Sequence, residues 1–127
     1  DRSLGALRRQ VYKAEENFFD LFSSLNQDDK YDVRCYFEVP SFTHIRRHVC
    51  RAKFVIDATS AESAPAFSEG VGAFSRPAVY EVRRKKEKMR ELMEALVAES
   101  PEMAQALTEY TNTKQVLESE KKRRHGQ

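Results

Sequence analysis

The sequence predicts an α+β domain, mainly α, with an N-terminal helix, a disulfide-linked β-hairpin and a long C-terminal helix that is kinked or broken. Three patterns carry this prediction. Apolar residues recur at helical spacing over the first 25 positions, alternate strictly around Cys35, and return every seven residues in the last third. A chain of 127 residues suits a single domain, 1–127. Within it we assign 1–27 to a helix, 30–54 to the Cys-linked hairpin, 55–78 to an Ala/Ser/Gly connector and 79–124 to a helical arm.

Leu4, Leu7, Val11, Ala14, Phe18, Leu21 and Leu25 form a helical seam held over three heptads. Ser3 is placed to cap its start, and Asn26, Gln27, Asp28 and Asp29 end it with residues that favour turns. Tyr12, Phe19 and Phe22 widen the stripe, so the helix is expected to pack on a core as well as on a partner helix.

Tyr31, Val33, Cys35, Phe37 and Val39 then alternate with Asp32, Arg34, Tyr36 and Glu38, the pattern of a half-buried strand. Pro40 to Thr43 reads as the turn, and residues 44–54 as the return. Cys35 and Cys50 are the only cysteines, and an even pair closing a short loop is read as a disulfide. Opposing them makes every register pair sum to 85, yet Ile45 and Val49 have the wrong parity, which predicts a bulge or irregular stretch. Such a link is expected to stabilise the fold by about 3 kcal/mol through loop closure and to place the protein in an oxidising compartment, periplasmic or secreted. Were the pair open, Arg51 beside Cys50 would somewhat activate that thiol.

The connector is rich in Ala, Ser, Gly and Pro, with Phe67, Val71 and Phe74 as isolated apolar points. A short helix over 63–71 is one option; Gly70, Gly72 and the prolines favour an irregular segment pinned to the core by its two phenylalanines. From Pro77 onward, Val82, Met89, Leu96, Met103, Tyr110 and Leu117 keep a seven-residue repeat, with Leu92, Met93 and Leu107 beside it. Ser100-Pro101-Glu102 is a helix-start signal inside that repeat, so two helices and one kinked helix both remain open.

Catalytic vocabulary is thin. There is no Gly-x-Ser-x-Gly elbow, phosphate-binding glycine loop, Cys-x-x-Cys or His-Glu-x-x-His. No catalytic residue, cofactor or metal is therefore expected, and the chain is read as non-enzymatic. His44 and His48 are four apart, but Arg46 and Arg47 between them oppose a divalent cation. The net charge of +2 is too small to imply a polyanion partner by itself. The candidate basic patch is Arg83, Arg84, Lys85, Lys86, Lys88 and Arg90, with Lys121 to Arg124 further on. Glu81, Glu87, Glu91 and Glu94 lie at helical distances from the first run, so a solvated, ion-paired face outweighs a nucleic-acid patch. No run of apolar residues reaches the roughly 18 needed to span a bilayer, although contact with a membrane surface stays open. The start at Asp1 suits removal of a leader and equally a trimmed chain.

Tyr31-Asp32-Val33-Arg34-Cys35 and the block from Ile45 to Phe54, behind Glu16-Asn17-Phe18-Phe19, resemble small uncharacterised two-cysteine envelope proteins of gammaproteobacteria. The resemblance covers roughly the first 55 residues and departs from that group at Arg47-His48-Val49 and at Ala52, where proline is common. It implies export and a disulfide bond, and no activity. The expected role is thus a non-enzymatic exported protein acting through protein contacts, as an accessory subunit of an envelope assembly or a homo-oligomer. Its candidate contact residues are Leu4, Val11, Phe18, Leu25, Met89, Leu96, Met103 and Tyr110 on the two seams. The alternative is binding of nucleic acid or an anionic surface through the basic helix segments.

Overall fold

The computed structural model describes residues 3–59 and 76–126. Helix α1 (Leu4–Leu25) leads, through a 3-10 turn at Asp29–Tyr31, into strands β1 (Val33–Glu38) and β2 (Arg47–Ala52). Residues 53–59 are helical (α2), and α3 (Arg76–Glu99) and α4 (Pro101–His125) complete the chain. The α+β, mainly helical class is as the sequence predicts. The option of a helix over 63–71, and the positions of Phe67, Val71 and Phe74, fall outside the described residues.

Ser3 caps α1 as expected, its hydroxyl accepting from the Ala6 N–H at 3.0 Å. At the other end Asn26 ties the helix to the hairpin. Its side-chain amide donates to the carbonyls of Phe22 and Ser23 and to the Asp32 carboxylate at 2.9 Å, while its own oxygen accepts from the Asp28 N–H. The Ser23 hydroxyl also accepts the Val33 N–H at 2.8 Å. The first residue of β1 is therefore fixed to the last turns of α1 by side chains that also close the helix.

The strands pair antiparallel with Cys35 opposite Cys50 and Val33 opposite Ala52, so every pair sums to 85 without interruption. The bulge expected from Ile45 and Val49 is absent: Val49 sits opposite Tyr36 on the outer face, and Ile45 lies in the turn. Keeping the register leaves their side chains away from the core, and that outcome prevails because Val33, Cys35, Cys50 and Ala52 all gain the core face. Lys53 donates to the Asp32 carbonyl at 2.7 Å, making 32/53 a hydrogen-bonded pair. By alternation the cysteines occupy a non-hydrogen-bonded pair, where opposed α-carbons lie closest. The disulfide joins them with Cα–Cα 4.0 Å. Phe54, expected at the end of the return strand, belongs instead to α2, and it is buried against Tyr31.

Between α3 and α4 the structure selects two helices over one kinked helix. Ser100 is extended, and its hydroxyl accepts the Met103 N–H at 3.3 Å, with Pro101 at the first helical position. The seven-residue repeat nonetheless carries through the break: Val82, Met103 and Leu117 are buried, and Met89, Leu96 and Tyr110 pack against the core. Helix α4 runs antiparallel to α1. Leu7 and Val11 meet Leu117 at one end, Glu15 meets Tyr110 midway, and Phe18 and Phe22 join Met103 and Ala106 at the other. Among the described residues, Phe22 and Met103 are the largest fully buried side chains, and they anchor this interface.

Candidate functional site

The hairpin presents two faces of different chemistry. Its inner face carries Phe37 and His48, a cross-strand pair, over the Tyr12 ring of α1. The imidazole stacks on Tyr12 at a centroid distance of 4.4 Å, and its side chain is only 1% exposed. Nδ1 lies 2.9 Å from Glu15 Oε1. The other oxygen of that carboxylate accepts the Tyr110 hydroxyl at 2.7 Å, so one acid of α1 joins the sheet to α4. Burial, then the bond to Glu15, raises the Tyr110 pKa above its ordinary value. Nε2 of His48 has no hydrogen-bond partner, with the Glu16 carboxylate 3.6 Å away.

The outer face is held by charge. Arg51 and Arg47 both bind Glu38, at 2.8 and 2.5 Å, and Arg51 also donates to the Tyr36 hydroxyl at 2.7 Å. The Arg51 and Arg47 hydrogen bonds hold the Glu38 pKa down at about 2. This clamp ties the ends of the strands together across an exposed surface.

Beyond the clamp the chain turns outward. Val39, Phe42 and Ile45 are exposed apolar side chains clustered in one turn, with Ile45 74% exposed and Phe42 fully so. Phe42 has a φ of 68°, the left-handed region that a bulky residue rarely occupies. The turn is closed by the Pro40 carbonyl, which accepts from the N–H and the hydroxyl of Thr43. Arg46 lies over the Phe37 ring at 4.3 Å, and Arg47 is part of the clamp, so cations rim the apolar tip.

The seam residues expected to meet a partner mostly meet each other. Val11, Phe18 and Met103 are buried, Met89, Leu96 and Tyr110 are packed on the core, and Leu4 rests on the cluster of Leu7, Val11 and Leu117. Leu25 alone of the eight keeps an exposed side chain. In the basic run, Arg84 pairs with Glu81, and Arg90 pairs with Glu87 and Glu94. Arg83, Lys86 and Lys88 are exposed and form no ion pair among the described residues. At the chain end Arg123 and Arg124 share Glu120, and four basic residues complement the C-terminal dipole of α4. His44 lies in the exposed turn while His48 is inside, so the two do not form one histidine site.

Two features escape sequence reasoning. The grouping of His48 with Glu15, Glu16 and Tyr110 spans three elements and has no local signature. The apolar tip left one trace, the off-parity position of Ile45, which lies in the turn outside the strand pairing. No helix of the described chain is long and apolar enough to cross a membrane. No family model, curated protein or solved structure matches the chain.

Proposed function

We propose that the chain is a non-enzymatic exported protein, periplasmic or secreted, that acts by docking on a protein partner through the tip of its hairpin. One observation carries this reading: Val39, Phe42 and Ile45 stand exposed together, and a left-handed backbone residue keeps Phe42 directed away from the fold. Leaving apolar side chains in water opposes stability, and holding a phenylalanine at positive φ adds a further cost of about 1–3 kcal/mol. A free tip has no use for either. Docked in an apolar pocket, three side chains and an arginine rim make a compact anchor of the kind that dominates protein interfaces. Most seam residues pack within the chain, with Leu25 left exposed, which favours the hairpin tip over the seams as the contact surface. The disulfide supports the exported address, because such links persist outside reducing compartments. The resemblance to envelope proteins supports the same address.

The test compares wild type with a Phe42→Gly/Ile45→Asp variant as bait in envelope extract of cells that export the protein. A defined protein retained by the wild type and lost by the variant, at unchanged thermal stability, meets the proposal. Identical capture by both baits defeats it. A second reading, attachment to an anionic surface, draws on the exposed Arg83, Lys86 and Lys88 and on Arg46 beside the tip. Its signature is binding to anionic vesicles or nucleic acid that falls steeply with salt.

A further inference from the structure

The cysteines, the buried imidazole and the acids of α1 lie in one place. A ring nitrogen of His48 and the sulfurs of Cys35 and Cys50 all lie within 4.8 Å of one another. His48 is set up as a ligand in three respects. Its ring is fixed by stacking on Tyr12, its Nδ1 faces Glu15 at 2.9 Å, and its Nε2 is buried without a hydrogen-bond partner, the Glu16 carboxylate standing 3.6 Å away. With Glu15 ionised and the imidazole neutral, Nδ1 carries the proton as donor to the carboxylate, and that tautomer leaves the Nε2 lone pair available. A carboxylate behind the distal nitrogen is the usual support of a metal-binding histidine, and here Tyr110 in turn fixes that carboxylate.

We propose that the Cys35–Cys50 pair is a redox-gated metal site: reduced, it binds one zinc ion through both thiolates and His48 Nε2. Glu16, whose carboxylate lies 3.6 Å from Nε2, is placed to supply a fourth ligand by side-chain rotation. Two sulfurs, one imidazole and one carboxylate are donors that zinc takes in tetrahedral geometry, with thiolate sulfurs about 3.8 Å apart for Zn–S bonds of about 2.3 Å. Thiols projecting from directly opposed residues reach that separation by side-chain rotation. Access exists as well. An open cavity of about 570 Å³ along β1 reaches Cys35 and is lined by Glu16 and Asp20 as well as by Arg34, so two acids face one cation there.

The gating step needs a dithiol as reductant. One of its thiolates attacks a protein sulfur, the Cys35–Cys50 bond breaks, and the second thiol of the reductant resolves the mixed disulfide. The two electrons pass to the protein pair, which becomes two thiols, and the reductant leaves as its own disulfide. Zinc then displaces the two thiol protons to solvent. The site is separate from the hairpin tip and does not depend on what the tip binds.

The experiment titrates zinc into the full chain, oxidised or reduced with a dithiol that is then removed without air. Competition with a chromophoric chelator measures affinity, and cobalt in place of zinc reports thiolate coordination by its charge-transfer absorption. Expected are one ion per reduced chain, about two protons released per ion, and no binding by the oxidised chain. Glu15→Gln should weaken binding by about 10–100-fold through the supporting carboxylate, and His48→Gln by more. Helical circular dichroism is followed throughout. Zinc that restores structure lost on reduction supports the site, and a reduced chain that stays unfolded with zinc overturns it. Equal affinity in the wild type and His48→Gln, or no gain on reduction, also overturns it.

Discussion

Two phenylalanines twenty residues apart allow one substitution to be read in opposite environments. Phe22 is fully buried where α1 meets α4 and the hairpin, whereas Phe42 is fully exposed at the tip. Phe22→Ala removes the aromatic transfer term and leaves a cavity that two packed helices cannot collapse, a loss of about 3–5 kcal/mol. Alanine is the best helix former, so none of that loss comes from propensity. Against a total stability of about 5–15 kcal/mol for a domain, the loss is large. It should lower the melting temperature by about 10–25 °C. Phe42→Ala keeps a β-carbon at the same positive φ, leaves the strain in place and deletes no internal contact, so its cost should stay within about 0.5 kcal/mol. The assay is urea or thermal unfolding followed by circular dichroism, with the disulfide intact. A Phe22→Ala cost below about 1 kcal/mol would contradict a closed α1/α4 seam, and a comparable loss from Phe42→Ala would show that the tip is structural.

Other perturbations have equally definite outcomes. Replacing both Cys35 and Cys50 by alanine should cost about 3 kcal/mol by the loop-closure argument, read as a lower denaturant midpoint, and no loss would show that the link is not a staple. Glu38, held at about 2 by Arg51 and Arg47, adds stability above the ordinary carboxylate pKa of 4.5, and that contribution disappears as pH falls toward 2. Glu38→Gln should therefore flatten acid unfolding in that window, which a pH series of melting temperatures will show. Tyr110 has its pKa raised from 10.0, so its contribution is complete below pH 10 and is lost as pH rises above it. Tyr110→Phe should be less sensitive to alkali than wild type while losing the bond to Glu15, measured by unfolding from pH 8 to pH 12. Phe42→Gly should leave the melting temperature unchanged or raised, because glycine tolerates the left-handed backbone that phenylalanine does not.

Much of this fold was legible because its signals are local. Ser3, the seam from Leu4 to Leu25, the alternation around Cys35 and the Ser100-Pro101 start each lie within a few residues of the structure they specify. The disulfide was readable because period-two alternation leaves few ways to place two cysteines on one face, whereas the unbroken register was not, since the parity of Ile45 and Val49 pointed to a bulge that the structure lacks. The destination of the seams was not. A heptad repeat states that a face is apolar and is silent on whether another chain or another helix covers it; here Leu117, Tyr110 and Met103 cover Leu7, Val11, Phe18 and Phe22. The choice between a kink and a break at Ser100 was likewise beyond sequence, since the repeat keeps its phase in either case. The polar grouping of His48 with Glu15, Glu16 and Tyr110 was hidden for a further reason: it is assembled across positions up to 95 residues apart.

In the proposed role the chain closes its own seams and reaches its partner through the hairpin tip. The most direct measurement places a photo-cross-linking residue at Phe42, or at the exposed Gln105 of α4, in cells exporting the protein. A discrete adduct from position 42, with none from position 105, is the predicted result. An adduct from position 105 alone, or none from position 42, would contradict it.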